Sequence, residues 1–142
     1  MTRPRPAQPD KSTISRLDIS RLVAAFYAKV RQDERLGPIF ERHVGTEDAD
    51  WVPHLAKIEA FWANVMLGSR EYRGNPMQTH MAVPEIERHD FETWLALFDR
   101  TAQEILPMQK AEAFSVFAHR IGQSLSMGLE RSRSDRPPIL TD

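Results

Sequence analysis

Apolar side chains recur at spacings of three and four residues along most of the chain, which is the period of an α-helix that buries one face. The pattern is clearest over about residues 15–33. Its apolar stripe contains Leu17, Ile19, Leu22, Val23, Phe26, Tyr27 and Val30. Gly37 and Pro38 then interrupt the chain, since both residue types favour turns. The sequence therefore predicts one long helix, followed by a short turn or helix that carries Ile39 and Phe40.

Three more long helices are predicted downstream. Their apolar stripes cover about 46–68, 86–106 and 109–130. The first of these starts near Thr46 or Asp50, and Pro53 favours Asp50 because proline is tolerated only near the first turn. Residues 69–85 predict a loop that holds at most a short helix around 77–81. Because no alternating run is long enough for a β-sheet, the predicted fold class is all-α, with four main helices.

The two ends of the chain differ from this helical region. Residues 1–14 predict a flexible N-terminal tail, and residues 131–142 predict a flexible C-terminal tail with adjacent prolines. A single domain over 15–130 lies between them. The N-terminus lacks the apolar stretch of a secretory signal, and no segment reaches the ~18 apolar residues of a membrane span. We therefore expect a cytoplasmic protein.

Composition excludes several kinds of site. The sequence contains no cysteine, which excludes disulfides, thiolate metal sites, iron–sulfur clusters, cysteine nucleophiles and covalent haem attachment. Basic and acidic residues number 19 and 20, for a net charge of -1. No global field therefore attracts nucleic acid or an anionic membrane, and we expect neither as a partner.

Histidine is the residue type that keeps a metal or redox site open. The five histidines are His43, His54, His80, His89 and His119. None of them forms the paired spacing of a zinc protease or the Glu-x-x-His repeat of a di-iron bundle. Walker loops, dinucleotide loops and a nucleophile elbow are also absent. His54 on an apolar helix face and His80 between proline-bearing turns are each, taken alone, more often structural. A planar apolar cofactor needs only one axial imidazole and an apolar surround, so for a protein that binds one, a single histidine of this kind is a candidate ligand.

An ordered set of motifs carries a family resemblance over about residues 18–129. It comprises Phe26-Tyr27, Lys29-Val30-Arg31, Leu36-Gly37-Pro38-Ile39-Phe40, Trp51, His54, Lys57-Ile58, Phe61-Trp62, Leu67-Gly68, Tyr72, Gly74-Asn75-Pro76, His80, Phe91, Trp94-Leu95 and Leu97-Phe98. With these spacings the chain resembles the truncated haemoglobins of group III. The paired glycines of groups I and II are missing, and Leu67-Gly68 stands where one such pair would be.

The resemblance implies a truncated globin fold, a two-over-two helical sandwich around haem b. It places His80 as the proximal iron ligand and Phe40 against the porphyrin. Tyr27, His54 and Trp94 correspond to the distal residues, whose O–H and N–H groups favour O2 because bound O2 gains negative charge. His54 either donates such a bond or swings out as a gate, and the sequence leaves both roles open.

The same resemblance implies the rest of the pocket. Lys57 and Tyr72 are candidates for the haem propionates, since a lysine can extend along a helix edge to solvent. The candidate pocket walls are Ile58, Phe61, Met77, Phe91, Phe98 and Ile121. His43, His89 and His119 receive no function, although His89 precedes the third helix within reach of a propionate.

Three functions from different classes remain. The leading hypothesis is a monomeric haem protein that binds O2, and also NO or CO, for storage, sensing or delivery. The second is a haem enzyme that oxidises NO or turns over peroxide, which requires a separate reductase because no flavin or nicotinamide domain is evident. The third is a cofactor-free helical interaction module, in which His80 is dispensable.

Overall fold

The computed structural model describes residues 13–75 and 83–134, with side chains up to Arg131. Every regular element in these two ranges is an α-helix, which confirms the predicted all-α class for this part of the chain. The helices are α1 (Arg16–Gln32), α2 (Leu36–Val44), α3 (Asp48–Leu67), α4 (Arg88–Ile105) and α5 (Met108–Ser134). Among the described helices, none is both long enough and apolar enough to cross a bilayer.

Some of the predicted features lie outside the described residues. They include His80, Met77 and the short helix expected around 77–81. Most of both predicted tails is also outside, although α5 continues to Ser134, beyond the predicted helix end near Glu130.

The start of α1 is fixed by a reciprocal cap. The Ser15 hydroxyl accepts a hydrogen bond from the Asp18 amide at 3.2 Å, and the Asp18 carboxylate accepts one from the Ser15 amide at 3.0 Å. This arrangement satisfies two amides that the first turn of a helix leaves unpaired. Lys110 of α5 donates to the same carboxylate at 2.9 Å, so the cap also ties α1 to the last helix.

The start of α3 differs from both predicted positions. The helix begins at Asp48, and Asp50 accepts a hydrogen bond from the Glu47 amide at 3.2 Å instead of standing before the first turn. Pro53 consequently lies in the second turn. Its ring takes the place of the N–H that would bond to the Ala49 carbonyl, so one hydrogen bond of the first turn is absent.

The helices form two layers. In one layer α3 packs on α1, in the other α5 packs on α4, and α1 joins the layers through close backbone contact with α4. By contrast, α3 approaches α4 and α5 at most at isolated points along the backbone. Side chains close this gap around Trp62 of α3, which stacks on Phe98 of α4 with ring centroids 5.4 Å apart and meets Phe114 of α5 edge-on at 5.6 Å. The buried side chains of α3, α4 and α5 around Trp62 belong to one apolar core.

The turn between α1 and α2 depends on one glycine. The Gly37 amide donates to the Asp33 carbonyl at 2.9 Å, and a Cβ added at Gly37 would lie 2.6 Å from the backbone oxygen of Arg31. A backbone oxygen at that distance cannot rotate away as a side chain would. Gly37 therefore allows α2, and with it Phe40, to approach α1 closely.

We predict that Gly37→Ala lowers the free energy of unfolding by about 1–3 kcal/mol, because the methyl group displaces backbone against the Arg31 carbonyl. Gly122→Ala is the matched control, since the added Cβ there meets only the flexible end of Leu95, at 3.0 Å and beyond. Urea denaturation of both variants measures the difference. Equal stability losses at the two sites would refute the role given to Gly37.

Candidate functional site

Five side chains from the four helices α1 to α4 meet at one place, with Tyr27 at its centre. They are Tyr27, Phe40, Trp51, His54 and Trp94, which we call the polar aromatic cluster. The Tyr27 ring lies 5.9 Å from Phe40 and 6.2 Å from His54, measured between centroids, with the His54 ring perpendicular to it. Three of the residues that the sequence singled out as distal, together with Phe40, are thus brought together.

Tyr27 carries the buried hydroxyl of this cluster, and its side chain is 7% exposed. Burial raises the pKa of Tyr27 to about 12, and a hydrogen bond from the Trp94 indole offsets part of that rise. Because an indole N–H can only donate, the tyrosine oxygen is the acceptor and its own proton stays available. At neutral pH the cluster therefore presents a neutral phenol O–H that is able to donate a hydrogen bond.

His54 points into the structure. Its Nε2 atom is buried from solvent, and its ring stands edge-on to Trp51 with centroids 5.3 Å apart. The Phe40 ring lies 6.4 Å from it. Of the two orientations that the sequence left open, the structure adopts the inward one.

Trp51 belongs to the same cluster although the sequence analysis gave it no role. Its indole N–H donates to the Gly45 carbonyl at 2.9 Å, and the Arg31 guanidinium lies 4.9 Å from the ring centroid, a cation–π contact. Both contacts fix the ring against which Tyr27 and His54 pack. The sequence did place Trp51 one turn before His54 on the same helix face, which could have indicated a contact between them. A buried tryptophan, however, ordinarily indicates only a place in the core.

The remaining predicted residues of α3 differ in burial. Ile58 and Phe61 are half-buried, while Lys57 is exposed. The Tyr72 ring packs edge-on against Phe61 at 5.4 Å, and burial raises the pKa of Tyr72. Tyr72 therefore lies beside the last turns of α3, whereas Lys57 lies in the middle of that helix.

On the opposite side, the predicted wall residues divide between two apolar clusters. Phe98 is fully buried in the main core, stacked on Trp62 and on Trp94 with centroids 5.4 and 5.7 Å apart. Phe91 belongs to a smaller cluster, with Leu125 and Leu129. The half-buried Ile121 packs against both clusters. The predicted wall residues of α4 and α5 therefore lie in two apolar clusters that Ile121 connects, and Phe98 is part of the core.

The arrangement fits a planar apolar cofactor. Half-buried apolar side chains of α3, α4 and α5 pack against the main core, and the polar aromatic cluster supplies hydroxyl, imidazole and indole groups. Ligand sites of this kind combine a mainly apolar lining with a few convergent polar groups. The described residues of the site thus have the chemistry that the sequence resemblance requires.

Comparison with known proteins agrees with this geometry. The profile of the family described as Bacterial-like globin matches residues 15–122. A group 3 truncated haemoglobin of Campylobacter jejuni is 44% identical over 89 residues, covering 63% of this chain and 70% of that protein. The crystal structure of a group III truncated haemoglobin from C. jejuni superposes with a TM-score of 0.79 at 36% identity, covering 83% of this chain and 93% of that one.

The two tyrosines are predicted to ionise in separate steps. In the folded protein Tyr27 stays protonated until about pH 12, while the less buried Tyr72 ionises earlier. An unfolded tyrosine ionises near its ordinary value of 10.0, so stability falls as the pH rises from about 10 to about 12. Phenolate absorbance during a pH titration measures both steps. Tyr27→Phe should remove the later step and Tyr72→Phe the earlier one, and the reverse assignment would contradict the burial argument.

Proposed function

The chain belongs to the bacterial-like globin family, and within it to the group III truncated haemoglobins, and from this membership we propose that it binds haem b non-covalently and holds O2 reversibly beside Tyr27 and Trp94. Membership makes it a haem-binding globin with small gaseous ligands. We assign the haem to one globin domain over about residues 15–130.

The observation that carries this proposal is the pair of the buried Tyr27 and the half-buried Trp94. Haem iron, when bound, supplies the reversible bond to a diatomic gas. The protein supplies the surroundings: a buried neutral phenol, whose oxygen accepts from the Trp94 indole N–H and whose own proton can then be donated to the gas. Hydrogen bonds from such donors favour O2, which takes on negative charge, over the less polar CO. Each is worth about 1–3 kcal/mol where the acceptor is charged and solvent is excluded.

His54 adds a third polar group on the same side. Its inward ring and buried Nε2 support a role as a donor to the gas ligand rather than as an open gate. Trp51 supports that orientation through its edge-on contact with the imidazole. We therefore propose Tyr27, Trp94 and His54 as the distal residues, with Phe40 packed against the porphyrin.

His80 is proposed as the proximal ligand on the strength of the family resemblance. The neighbourhoods of the other histidines support the assignment. His119 and His43 lie at the surface beside the carboxylates of Asp99 and Glu85, at 2.7 and 3.2 Å, and His89 is likewise exposed. His54 occupies the polar side. A neutral imidazole from His80 would then be the group available to the iron.

The apolar walls of α3, α4 and α5 would enclose the ring. We propose Ile58, Phe61, Phe91 and Ile121 as contacts with the porphyrin, together with Met77, while Phe98 supports Trp94 from behind. Lys57 and Tyr72 would meet the propionates. An exposed lysine is suited to that role because it keeps its charge in solvent.

An absorbance spectrum with hemin tests the proposed function directly. We expect stoichiometric uptake with an intense Soret band, and a reversible spectral change when the ferrous protein is exposed to O2. A protein that stays colourless with added hemin would overturn the proposal and leave a helical interaction module. Rapid consumption of NO by the oxygenated form, sustained by a separate reductase, would instead favour the enzyme.

Tyr27→Phe is predicted to increase the O2 dissociation rate by about tenfold or more, because it removes a hydrogen bond to a charged ligand in a site without water. Stopped-flow replacement of O2 by CO measures the rate. Ser20→Ala is the control, since it removes a hydroxyl that bonds the Glu59 carboxylate outside the polar aromatic cluster. An unchanged rate in Tyr27→Phe would remove the tyrosine from the list of donors.

His80→Ala is predicted to lose the five-coordinate ferrous spectrum of a histidine-ligated haem and to release hemin faster, because the iron loses its only proposed protein ligand. His119→Ala, at a surface ion pair, serves as the control. Retention of the wild-type ferrous spectrum in His80→Ala would show that another residue holds the iron.

A further inference from the structure

A row of aromatic rings runs from the polar aromatic cluster through the core. It starts at Trp94, which stacks on Phe98 with ring centroids 5.7 Å apart and ring planes at 22°. Phe98 stacks in turn on Trp62 at 5.4 Å and 17°. One phenylalanine is therefore in near-parallel contact with two indoles, and this contact joins α4 to α3.

The row continues from α3 to a tyrosine nearer the surface. Trp62 meets Phe61 edge-on with centroids 5.8 Å apart, and Phe61 meets Tyr72 edge-on at 5.4 Å. Tyr72 is half-buried, and its hydroxyl lies beside the exposed Gly74, where an added Cβ would be 2.4 Å from the phenol oxygen. The five rings, which we call the aromatic row, are Trp94, Phe98, Trp62, Phe61 and Tyr72.

The aromatic row has the chemistry of an electron path. In a protein without cysteine, indoles and phenols are the side chains that lose a single electron most readily. Phenylalanine is much harder to oxidise, but a ring in contact on both sides bridges the gap that an electron has to cross. All four separations lie in the range of about 4.5–7 Å that is typical of contacting aromatic rings. An electron can therefore pass in two steps, from Tyr72 to Trp62 and from Trp62 to Trp94.

Proton release favours Tyr72 over Tyr27 as the source of the electron. A phenol that loses an electron becomes a strong acid, so its oxidation needs a group that accepts the proton. Tyr27 is 7% exposed, and burial raises its pKa to about 12. Burial raises the pKa of Tyr72 as well, but its ring remains partly in contact with solvent. Water can therefore accept the proton of Tyr72, which makes this phenol the easier one to oxidise.

Trp51, the remaining indole of the cluster, is a poor alternative exit. The Arg31 guanidinium lies 4.9 Å from its ring centroid. Loss of an electron leaves an indole with a positive charge, which a cation over the ring disfavours. Arg31 also pairs with Asp48 at 2.9 Å, but that carboxylate is 97% exposed, so solvent screens its charge. Electrostatics therefore favours the route through Trp62.

We propose that the aromatic row carries oxidising equivalents from the polar aromatic cluster to Tyr72, where a small reductant in solution reduces them. The inference rests on the haem binding of the proposed function, because haem, when bound, supplies the reaction with hydrogen peroxide that generates these equivalents. It goes beyond reversible gas binding, since it gives the protein a second activity. That activity is the reduction of peroxide by a donor that reacts at the protein surface.

Electrons and protons balance over two uses of the row. Hydrogen peroxide takes up two electrons and two protons and forms two molecules of water. Tyr72 supplies each electron through Trp62 and Trp94 and releases its hydroxyl proton to solvent, which leaves a neutral tyrosyl radical. A hydroxylated donor such as ascorbate then returns one electron and one proton to that radical. Two donor molecules are therefore oxidised, by one electron each, for every peroxide that is reduced.

Mapping of the protein radical tests where the electron comes from. The haem-loaded protein is treated with hydrogen peroxide and a nitroso spin trap, with and without ascorbate, and mass spectrometry identifies the labelled residues. Trp62→Phe removes the oxidisable ring in the middle of the row but keeps an aromatic ring in the core, and Tyr72→Phe removes the exit. Phe114→Leu is the matched control, since it alters a ring 5.6 Å from Trp62 that is not part of the row.

We expect the label at Tyr72 in the wild-type protein and in Phe114→Leu, and ascorbate should suppress it. In Trp62→Phe the label at Tyr72 should fall at least about tenfold, which corresponds to about 1.4 kcal/mol in the barrier for transfer. Equal labelling of Tyr72 in Trp62→Phe would overturn the inference, because the tyrosine would then be oxidised without the row. Labelling of Tyr27 with none at Tyr72 in the wild-type protein would overturn it as well.

Pulse radiolysis follows the same transfer without any need for haem. Azide radicals oxidise indoles faster than neutral phenols, and the half-buried Trp94 is the most accessible indole, since Trp51 and Trp62 are 2% and 3% exposed. In the protein as purified, we expect indolyl absorbance to decay while phenoxyl absorbance rises, at a rate independent of protein concentration. The rise should be at least about tenfold slower in Trp62→Phe and absent in Tyr72→Phe.

The two experiments distinguish the ways in which the inference can fail. A wild-type protein that binds haem but shows no coupled change of indolyl and phenoxyl absorbance would overturn the inference and leave the proposed function in place. A protein that shows the coupled change but takes up no haem would overturn the proposed function and the peroxide activity, and would leave only the electron path.

Discussion

The stack of Trp62 on Phe98 and of Phe98 on Trp94 is the contact on which the rest of the structure depends. It joins the two helical layers at the place where α3 otherwise stays apart from α4 and α5. Aromatic pairs of this kind contribute about 0.5–1.5 kcal/mol beyond the area that they bury. The stack therefore connects α3 to α4 and holds the Trp94 ring, whose indole N–H donates to Tyr27.

A polar group inside such a core has to be stabilised by its neighbours. The Tyr27 hydroxyl is almost fully buried, and an unpaired hydroxyl there would cost about 1–3 kcal/mol. The Trp94 indole offsets this cost, while Trp51 uses its own N–H on the Gly45 carbonyl and so presents only an apolar ring to the cluster. The two tryptophans thus have different roles: Trp94 donates a hydrogen bond to Tyr27, whereas Trp51 contributes an apolar ring that is held in place.

Much of the fold was predictable from the sequence because helix periodicity is a local property. The stripe through Leu22, Phe26 and Val30 predicted α1 within a residue or two at each end, and all three residues are buried. The start of α3 was not predicted, since it depends on Asp50 accepting from the Glu47 amide, a choice between neighbouring caps that are similar in energy. The long-range pairs left no local signal at all.

The pair of Arg35 and Asp90 shows why such contacts could not be predicted. The Arg35 guanidinium donates to the Asp90 carboxylate, but the two residues are 55 apart in sequence and each is an ordinary charged residue beside a helix start. Only the packing of α1 against α4 brings them together. Two kinds of interaction therefore determine this structure, and only the first can be recognised in the sequence. Apolar stripes, which can be recognised in the sequence, determine the layers, whereas polar pairs such as this one form only after the layers assemble. A ligand that binds only the assembled fold adds its affinity to the folded stability, so we expect a change that disturbs the packing of the layers to weaken haem uptake as well.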